Sequence, residues 1–300
     1  MTASPTLADY AYAKYLEQVN KQEATGNSLT RLVLGQLADK PSIRILDVGA
    51  GNGAIAAALI SACRRLGRNV SATLVEPNRH RLATLQARFA GDSGVALVPH
   101  KWPSAAPLCG GGFDVVLGAN IAYHFADQRA LFKSLWMAVA AGGVLCCTAA
   151  TAGTLQHPLY TEMLPRMIES AELERTFARH GHAACIEEVC AAAFNLSVPA
   201  RLTVVAADFT IAPAEVRRGL DALASRTAAA VDPFCLFLSF ALRVTIDSLV
   251  WQSAIVRAFA VSQRWADDGF LMRAQEGQLL SIKADPGSDR SHSISTRSWR

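Results

Sequence analysis

The pattern of apolar and polar positions changes character twice along the chain. Residues 7–37 place apolar and aromatic residues at helical spacing, which predicts two helices before Pro41. From there to Ala150, short runs rich in branched residues alternate with amphipathic segments, an order typical of a parallel sheet with helical crossovers. The predicted strands are 43–48, 70–76, 95–99, 113–118 and 144–148, and the predicted helices between them are 53–66, 79–89 and 127–140.

After Ala150 the pattern becomes mostly helical. Helical spacing covers residues 157–169 and 171–180, a strand-like run follows at 184–190, and 209–265 contains long helical segments. Strand patterns return at 270–273 and 278–283, on either side of a predicted turn at Glu276-Gly277. We therefore expect an α/β domain over 41–284 that carries a mostly helical cap or insertion at about 205–266 and is closed by a final strand.

The two ends of the chain and its composition narrow the classes of protein and of binding partner to expect. We expect residues 1–40 to form lid helices, and the Ser/Arg-rich residues 285–300 to be a disordered tail. The N-terminus lacks the basic and apolar regions of a secretory signal, and the apolar run 234–242 is too short to span a membrane, so a cytoplasmic protein is expected. A net charge of +4 without basic clusters argues against nucleic acid as a partner. Seven cysteines without a C-x-x-C pair predict neither disulfides nor a metal site.

The most specific motif lies at the end of the first predicted strand, where the chain reads IRILDVGAGNGA. Gly49, Gly51 and Gly53 would let a ligand approach the backbone and leave the N-terminus of the next helix facing it. Asp47 stands two residues before the first glycine. The G-x-G-x-G spacing differs from the G-x-G-x-x-G of dinucleotide-binding folds, which weighs against a nicotinamide cofactor.

Two further strand ends carry polar residues. Glu76 follows the second strand, 23 residues after Gly53, where a carboxylate can accept hydrogen bonds from both ribose hydroxyls of an adenosine. Asn120, Tyr123 and His124 follow the fourth strand, at the edge where open α/β sheets bind their ligands. Packing of Tyr123 and His124 against the following helix is the alternative interpretation.

Together these motifs resemble the class I S-adenosylmethionine-dependent methyltransferases, whose first motif is an acid, one residue and then G-x-G-x-G. The resemblance implies a Rossmann-like sheet with helices on both faces and an antiparallel last strand. It also implies S-adenosyl-L-methionine as the cofactor, held by Asp47, the three glycines and Glu76 with Pro77.

Within this superfamily the chain is most similar to histamine N-methyltransferase and related small-amine methyltransferases. The parallels run in order over most of the chain: an N-terminal helix with Tyr15 and Glu23, the strand end LVEP, the VPHK segment with Ser104 behind it, the loop 120–124 and the closing strand 279–284. The chain departs from the family in three places: the first motif, GAGNG, is closer to the general superfamily, His124 stands where the family has tyrosine, and the helical segment 209–265 has no clear counterpart.

The resemblance assigns roles residue by residue. It implies that Glu23 binds the substrate amine, with Tyr15 and Gln275 as further substrate contacts. It implies that His100, Ser104, Ala119 and Asn120 contact the cofactor. Asn120, Tyr123 and His124 are the candidates that line the methyl-transfer site beside Glu23, and Asn120 and His124 would also contact the substrate.

The chemistry of the acceptor decides which residue has to act. An amine must be neutral to attack, so a carboxylate at Glu23 would orient an ammonium and would also raise its pKa. The final proton could then leave through water or His124. A hydroxyl acceptor would need a base, and His124 is the best placed, with His157 as an outside candidate.

Three classes of function remain open from the sequence. The favoured one is a small-molecule methyltransferase, acting on nitrogen or, as the alternative, on oxygen. A NAD-dependent oxidoreductase would share Gly49 and Glu76, and a cofactor-binding protein without activity could keep the same fold. Trp102 is either a substrate wall or part of the core, and the apolar segment 234–242 fits a buried cap helix or a homodimer interface.

Overall fold

The central feature of the structure, a computed structural model, is a seven-stranded sheet. The structure describes residues 21–37, 40–167, 185–206, 208–226, 228–242, 244–272 and 275–285. The sheet strands are β1 (Ser42–Val48), β2 (Asn69–Val75), β3 (Val95–Val98), β4 (Phe113–Ala119), β5 (Val139–Ala150), β6 (Arg201–Ala206) and β9 (Gln275–Ile282), and β7 (Phe209–Ile211) pairs with β8 (Phe270–Met272) in a separate small sheet.

The order of the large sheet is β3-β2-β1-β4-β5-β9-β6. The first five strands run parallel to one another, and β9 runs antiparallel to both β5 and β6. Most residues of β4 and the second half of β1 are buried, as expected for parallel strands that are covered on both faces. The predicted Rossmann-like sheet with an antiparallel last strand is therefore confirmed.

Helices cover both faces of this sheet. The helices are α1 (Lys21–Leu34), α2 (Ala54–Arg65), α3 (Arg79–Arg88), α4 (Ala106–Cys109), α5 (Gln128–Ala138), α6 (Leu164–Met167), α7 (Ile186–Asn195), α8 (Pro213–Ser225), α9 (Pro233–Leu242), α10 (Ile246–Trp251), α11 (Ser253–Ser262) and α12 (Trp265–Asp268), with shorter turns at Ala122–His124, Ala152–Gln156 and Leu159–Met163. On one face, Leu29 of α1 and Leu59 of α2 pack on β1 and β4. On the other, Leu135 of α5 and Val189 of α7 pack on β4 and β5.

A separate hydrophobic core, which we call the cap core, lies among α8 to α12, the segment 159–167 and the β7–β8 pair. Phe234, Phe237, Trp265 and Phe270 form its centre, with edge-on ring contacts such as the 4.9 Å between the centroids of Trp265 and Phe270. The segment 159–167 contributes Leu159 and Met163 to this core, although it precedes the predicted cap in sequence.

Several predicted elements were wrong. Residues 184–190 were predicted as a strand, but α7 begins at Ile186. The predicted turn at Glu276-Gly277 does not exist, because β9 runs through both residues, and residues 270–272 pair with β7 instead. The edge strand β6 was not predicted. The predicted helix at 171–180, the first N-terminal helix and the tail 286–300 lie outside the described residues.

Two absences hold for the part of the chain that the structure describes. None of its helices combines the length and hydrophobicity needed to cross a membrane. No three His, Cys, Asp or Glu side chains come together there in a way that could hold a metal ion.

Candidate functional site

The glycine motif forms a tight loop between β1 and α2. Gly49, Gly51 and Gly53 have positive φ angles of 72°, 61° and 78°, a region that favours glycine. A Cβ atom at Gly49 would collide with Ile121, and one at Gly53 would come within 2.5 Å of Leu85 Cδ1. At Gly51 the nearest such atom would be 4.0 Å away. Gly49 and Gly53 therefore allow close packing, whereas Gly51 borders space that a ligand can approach.

Glu76 holds this loop in place from the end of β2. Its buried carboxylate accepts hydrogen bonds from the backbone N–H groups of Gly51 and Asn78, each at 2.8 Å. A carboxylate oxygen has a second lone pair, so Glu76 can still accept hydrogen bonds from ribose hydroxyls. The loop and the carboxylate are one unit, which fits an adenosine better than either does alone.

Asp47 adds a second buried carboxyl group on the neighbouring strand. Burial, and to a smaller extent the charge of Glu76, raises the pKa of Asp47 to about 7. A cationic ligand bound beside these two carboxyl groups would favour the ionised form of Asp47, which burial disfavours.

The end of β4 lies next to the glycine loop because β1 and β4 pair in parallel. Asn120, the first residue after β4, has a φ of 54°, a left-handed conformation that asparagine tolerates better than most residues. Its backbone N–H donates to the carbonyl of Thr148 at 2.9 Å. Its side-chain amide donates to Glu276 Oε2 at 3.3 Å.

Polar residues of β9 and α1 complete this edge. Glu276 also accepts a hydrogen bond from Thr25 Oγ1 at 3.2 Å, and Gln278 Oε1 accepts one from Ser28 Oγ at 3.0 Å. Because β9 runs antiparallel to β5, its first residues lie beside the carboxyl end of β5. We call Thr25, Ser28, Asn120, Glu276 and Gln278 the β9 polar cluster.

Of this cluster, only Asn120 was predicted from the sequence. Glu276 and Gln278 are two residues apart, the spacing that places side chains on one face of a strand. That signal was lost when residues 276 and 277 were interpreted as a turn.

The other predicted site residues are distributed around the same edge, and their roles stay predictions. Ala119 ends β4, Pro77 follows Glu76, and His100 and Ser104 are exposed in the segment after β3. His124 is exposed in the turn Ala122–His124. The side chain of Tyr123 in the same turn lies outside the described residues.

Gln275 is exposed at the start of β9, where its backbone N–H donates to Thr154 Oγ1 at 3.0 Å. The backbone of Glu23 belongs to α1, but its side chain lies outside the described residues, as does all of Tyr15. Neither substrate contact implied for Glu23 and Tyr15 is therefore described.

Two aromatic candidates lie in packed surroundings. Trp102 is buried in the core on the α5 side, and its indole N–H donates to Ser134 Oγ at 2.7 Å. His157 is half-buried, with Nε2 3.4 Å from the carbonyl of Leu271 and its ring 5.8 Å from that of Phe270. These partners of His157 belong to β8, whose Phe270 is part of the cap core, and burial lowers the pKa of His157.

Residues 46–145 match the family model of a methyltransferase domain. The match runs from within β1 to within β5 and includes the glycine loop, Glu76 and Asn120. This part of the chain is a methyltransferase domain. A comparison with curated proteins gives no significant match to the sequence.

Solved structures share the fold at low sequence identity. The YcgJ protein of Bacillus subtilis has a TM-score of 0.55 at 12% identity, over 87% of this chain and 99% of its own. A candidate methyltransferase from Bacillus halodurans C-125 has a TM-score of 0.54 at 14% identity, over 86% of this chain and 99% of its own. A candidate sarcosine dimethylglycine methyltransferase from Galdieria sulphuraria has a TM-score of 0.51 at 14% identity, over 87% of this chain and 86% of its own.

Proposed function

We propose that this enzyme transfers a methyl group from S-adenosylmethionine to a nitrogen atom of a small amine or nitrogen heterocycle. The observation that carries the proposal is the glycine loop, which is tied to Glu76 and leaves Gly51 bordering open space next to two buried carboxyl groups. The parallels with the small-amine methyltransferases support nitrogen as the acceptor atom.

The residues of the loop fit the parts of the cofactor. The sulfonium of S-adenosylmethionine supplies an activated methyl group when it is bound. Gly51 lets the ligand approach the backbone, Glu76 accepts hydrogen bonds from the ribose, and the cationic end of the cofactor would favour the ionised form of the buried Asp47 carboxyl group.

The acceptor would bind between Asn120, α1 and the start of β9. Methyl transfer from a sulfonium is an in-line displacement, so much of the catalysis comes from holding the nucleophile about 3 to 3.5 Å from the methyl carbon. Thr25 anchors α1 to β9, which supports a place for the nearby Glu23 on the acceptor side of the site. The proton of the amine would leave to water or to the exposed His124.

The cofactor part of the proposal is tested by titrating the purified protein with S-adenosylhomocysteine and, in parallel, with NAD. We expect binding of the first ligand only. A Gly51→Ala variant should bind it at least about tenfold more weakly, because the added methyl group would occupy space that the ligand approaches. A tenfold change in affinity corresponds to about 1.4 kcal/mol. Gly67→Ala is the matched control, because Gly67 also has a positive φ, of 75°, and its Cβ would meet no atom within 4 Å. Binding of NAD alone, or of neither ligand, would contradict the proposal.

The acceptor part is tested by offering the enzyme S-adenosylmethionine with a panel of amines, nitrogen heterocycles and phenols, and weighing the products by mass spectrometry. Methylated amines or heterocycles are the expected products. Methylation of phenols alone would overturn the assignment of nitrogen and favour the oxygen alternative with His124 as base.

A further inference from the structure

Glu276 is a buried carboxylate whose hydrogen-bond partners are all neutral. It is 2% exposed and accepts hydrogen bonds from the Thr25 hydroxyl, the Asn120 amide and, at 3.5 Å, the Gln278 amide. No lysine, arginine or histidine forms an ion pair with it in the described part of the chain. The buried carboxylate of the cap, Asp232, is in contrast paired with Arg218 at 2.9 Å. A buried charge without a counter-charge is costly, which favours a cationic ligand beside Glu276.

The charge of Glu276 also determines how Asn120 presents its amide. An ionised carboxylate can only accept hydrogen bonds, so the Nδ2 of Asn120 must turn towards Glu276. The Oδ1 of Asn120 is then the end of the amide that remains for a ligand. That oxygen accepts a hydrogen bond from an N–H or O–H group, so it suits an acceptor that still carries a proton.

Thr148, on β5 near Asn120, has a buried hydroxyl group that could still form a hydrogen bond. It lies opposite Gln278 in the β5–β9 register, and its carbonyl accepts the Asn120 N–H. Its hydroxyl is buried, with the residue 1% exposed, and has no partner among the described residues. A buried hydroxyl without a partner is costly, which favours a polar ligand at this edge of the sheet.

We propose that Glu276 and Asn120 act as one unit that selects an amine, bound first as its ammonium ion and deprotonated before the transfer, over a hydroxyl as the methyl acceptor. This inference rests on the proposed function and names the acceptor class. Asn120 contacts the acceptor, and Glu276 is a positioning residue that acts through Asn120 and through its charge.

The charge changes of the reaction give the physical reason. The bound ammonium first gives a proton to water or to His124, and its neutral nitrogen then bonds to the methyl carbon as the carbon–sulfur bond breaks, with the electron pair of that bond staying on sulfur. The positive charge thereby passes from the sulfonium to the acceptor nitrogen. A nearby carboxylate stabilises the charge on nitrogen. A hydroxyl acceptor would have to lose its proton, and the resulting anion would be repelled by Glu276.

The first test uses the native protein saturated with S-adenosylhomocysteine and two matched probe pairs: 2-phenylethylamine with 2-phenylethanol, and 2-(imidazolyl)ethylamine with its alcohol. We expect each amine to bind at least tenfold more tightly than its alcohol, as measured by calorimetry. Equal binding of both members of the pairs, or binding of neither, overturns the inference. Because the same titration first records S-adenosylhomocysteine binding, its outcome is separate from failure of the proposed function.

The second test removes the charge of Glu276 while keeping its shape. Glu276→Gln should bind S-adenosylhomocysteine as the native protein does and lose most of its preference for amines over alcohols. Glu188→Gln makes the same change on α7, on the opposite face of the sheet, and should leave that preference unchanged. A Glu276→Gln variant that keeps the full preference contradicts the inference.

The third test asks whether Glu276 acts through Asn120 and on the proton of the acceptor. The effects of Glu276→Gln and Asn120→Ala on kcat/KM should be far from additive, because the two side chains work as a unit.

Glu276→Gln should also move the acidic limb of the kcat–pH profile to lower pH, since the carboxylate raises the pKa of the bound ammonium. The described titratable group that faces Glu276 is Cys146 of β5, whose own pKa is raised by burial, by Cys147 and by Glu276, so it stays a neutral thiol. Additive effects together with an unchanged profile contradict the inference.

Discussion

Asp47 belongs to a motif that is local in sequence, but the pKa of its carboxyl group depends on residues far away in the chain. Its place two residues before Gly49 is visible in the sequence, but its pKa depends on the strands packed around β1 and on Glu76 at the end of β2. The hydrogen bonds of Glu276 are also non-local, because its partners Thr25 and Asn120 are 251 and 156 residues away in the chain.

Asp47 should make the stability of the ligand-free protein depend on pH. With a pKa of about 7 in the folded state and 3.8 as its ordinary value, it binds a proton in the native state that the unfolded chain releases between those two pH values. Stability therefore falls as pH rises from about 4 through 7, by up to about 4 kcal/mol, since one pKa unit corresponds to about 1.4 kcal/mol.

Asp47→Asn should remove this loss, so that the variant is more stable than the native protein at pH 8 and similar to it at pH 4. Urea unfolding at several pH values measures the difference. Asp267→Asn is the control, because Asp267 is exposed on α12. A difference between Asp47→Asn and the native protein that does not vary with pH would contradict the role given to burial.

At the scale of elements, the contact between β9 and α7 explains two predictions that were wrong. Gly277 lies inside β9, and a Cβ atom there would come within 2.6 Å of the Cβ of Ile186, the first residue of α7. The glycine was interpreted as part of a turn because turns are its commonest role. Here it lets a helix pack directly against a strand.

Gly277→Ala should destabilise the protein by about 1 to 3 kcal/mol, because the added methyl group forces Ile186 out of a packed site. Ile186→Ala should cost about 2 to 5 kcal/mol by itself. The double variant should be more stable than the sum of the two costs predicts, since the cavity of one change accommodates the methyl group of the other.

Thermal unfolding measures this pair. Gly111→Ala is the matched control, because a Cβ at Gly111 meets no atom within 4 Å, and it should change stability little. Strictly additive effects of Gly277→Ala and Ile186→Ala would show that the two residues do not compete for the same space.

At the scale of the whole molecule, the chain builds the cap core apart from the cores on the two faces of the sheet. The glycine loop, Glu76 and Asn120 belong to the sheet, whereas Phe237 and Phe270 belong to the cap core. Separate cores allow the two parts to open with different free energies.

Phe237→Ala should lower the hydrogen-exchange protection of α8 to α11 far more than that of β1 and β4, as a buried phenylalanine contributes about 3 to 5 kcal/mol. Phe132 lies on α5, in the core that α5 and α7 form on one face of the sheet, and Phe132→Ala should lower the protection of β1 and β4 more than that of α8 to α11. Equal loss of protection everywhere in both variants would show that the molecule opens as a single unit.

The sequence by itself determined the features that depend on neighbours in the chain. The alternation of strands and helices from β1 to β5, the glycine loop with Asp47, and the strand-end residues Glu76 and Asn120 were all predicted. Such features are local, because strand periodicity, the demand for positive φ and the turn from strand to helix act over a few residues.

Only the tertiary structure decided what β9 contributes. The continuous β9, the α7 helix packed on Gly277 and the β9 polar cluster depend on segments that meet across most of the length of the chain. A short apolar run such as 184–190 has no clear period of its own, so packing against the sheet selects its conformation. Burial likewise decides the effect of Glu276 on a ligand. A carboxylate exposed to water would be solvated, whereas a buried one without a counter-charge favours a cationic ligand.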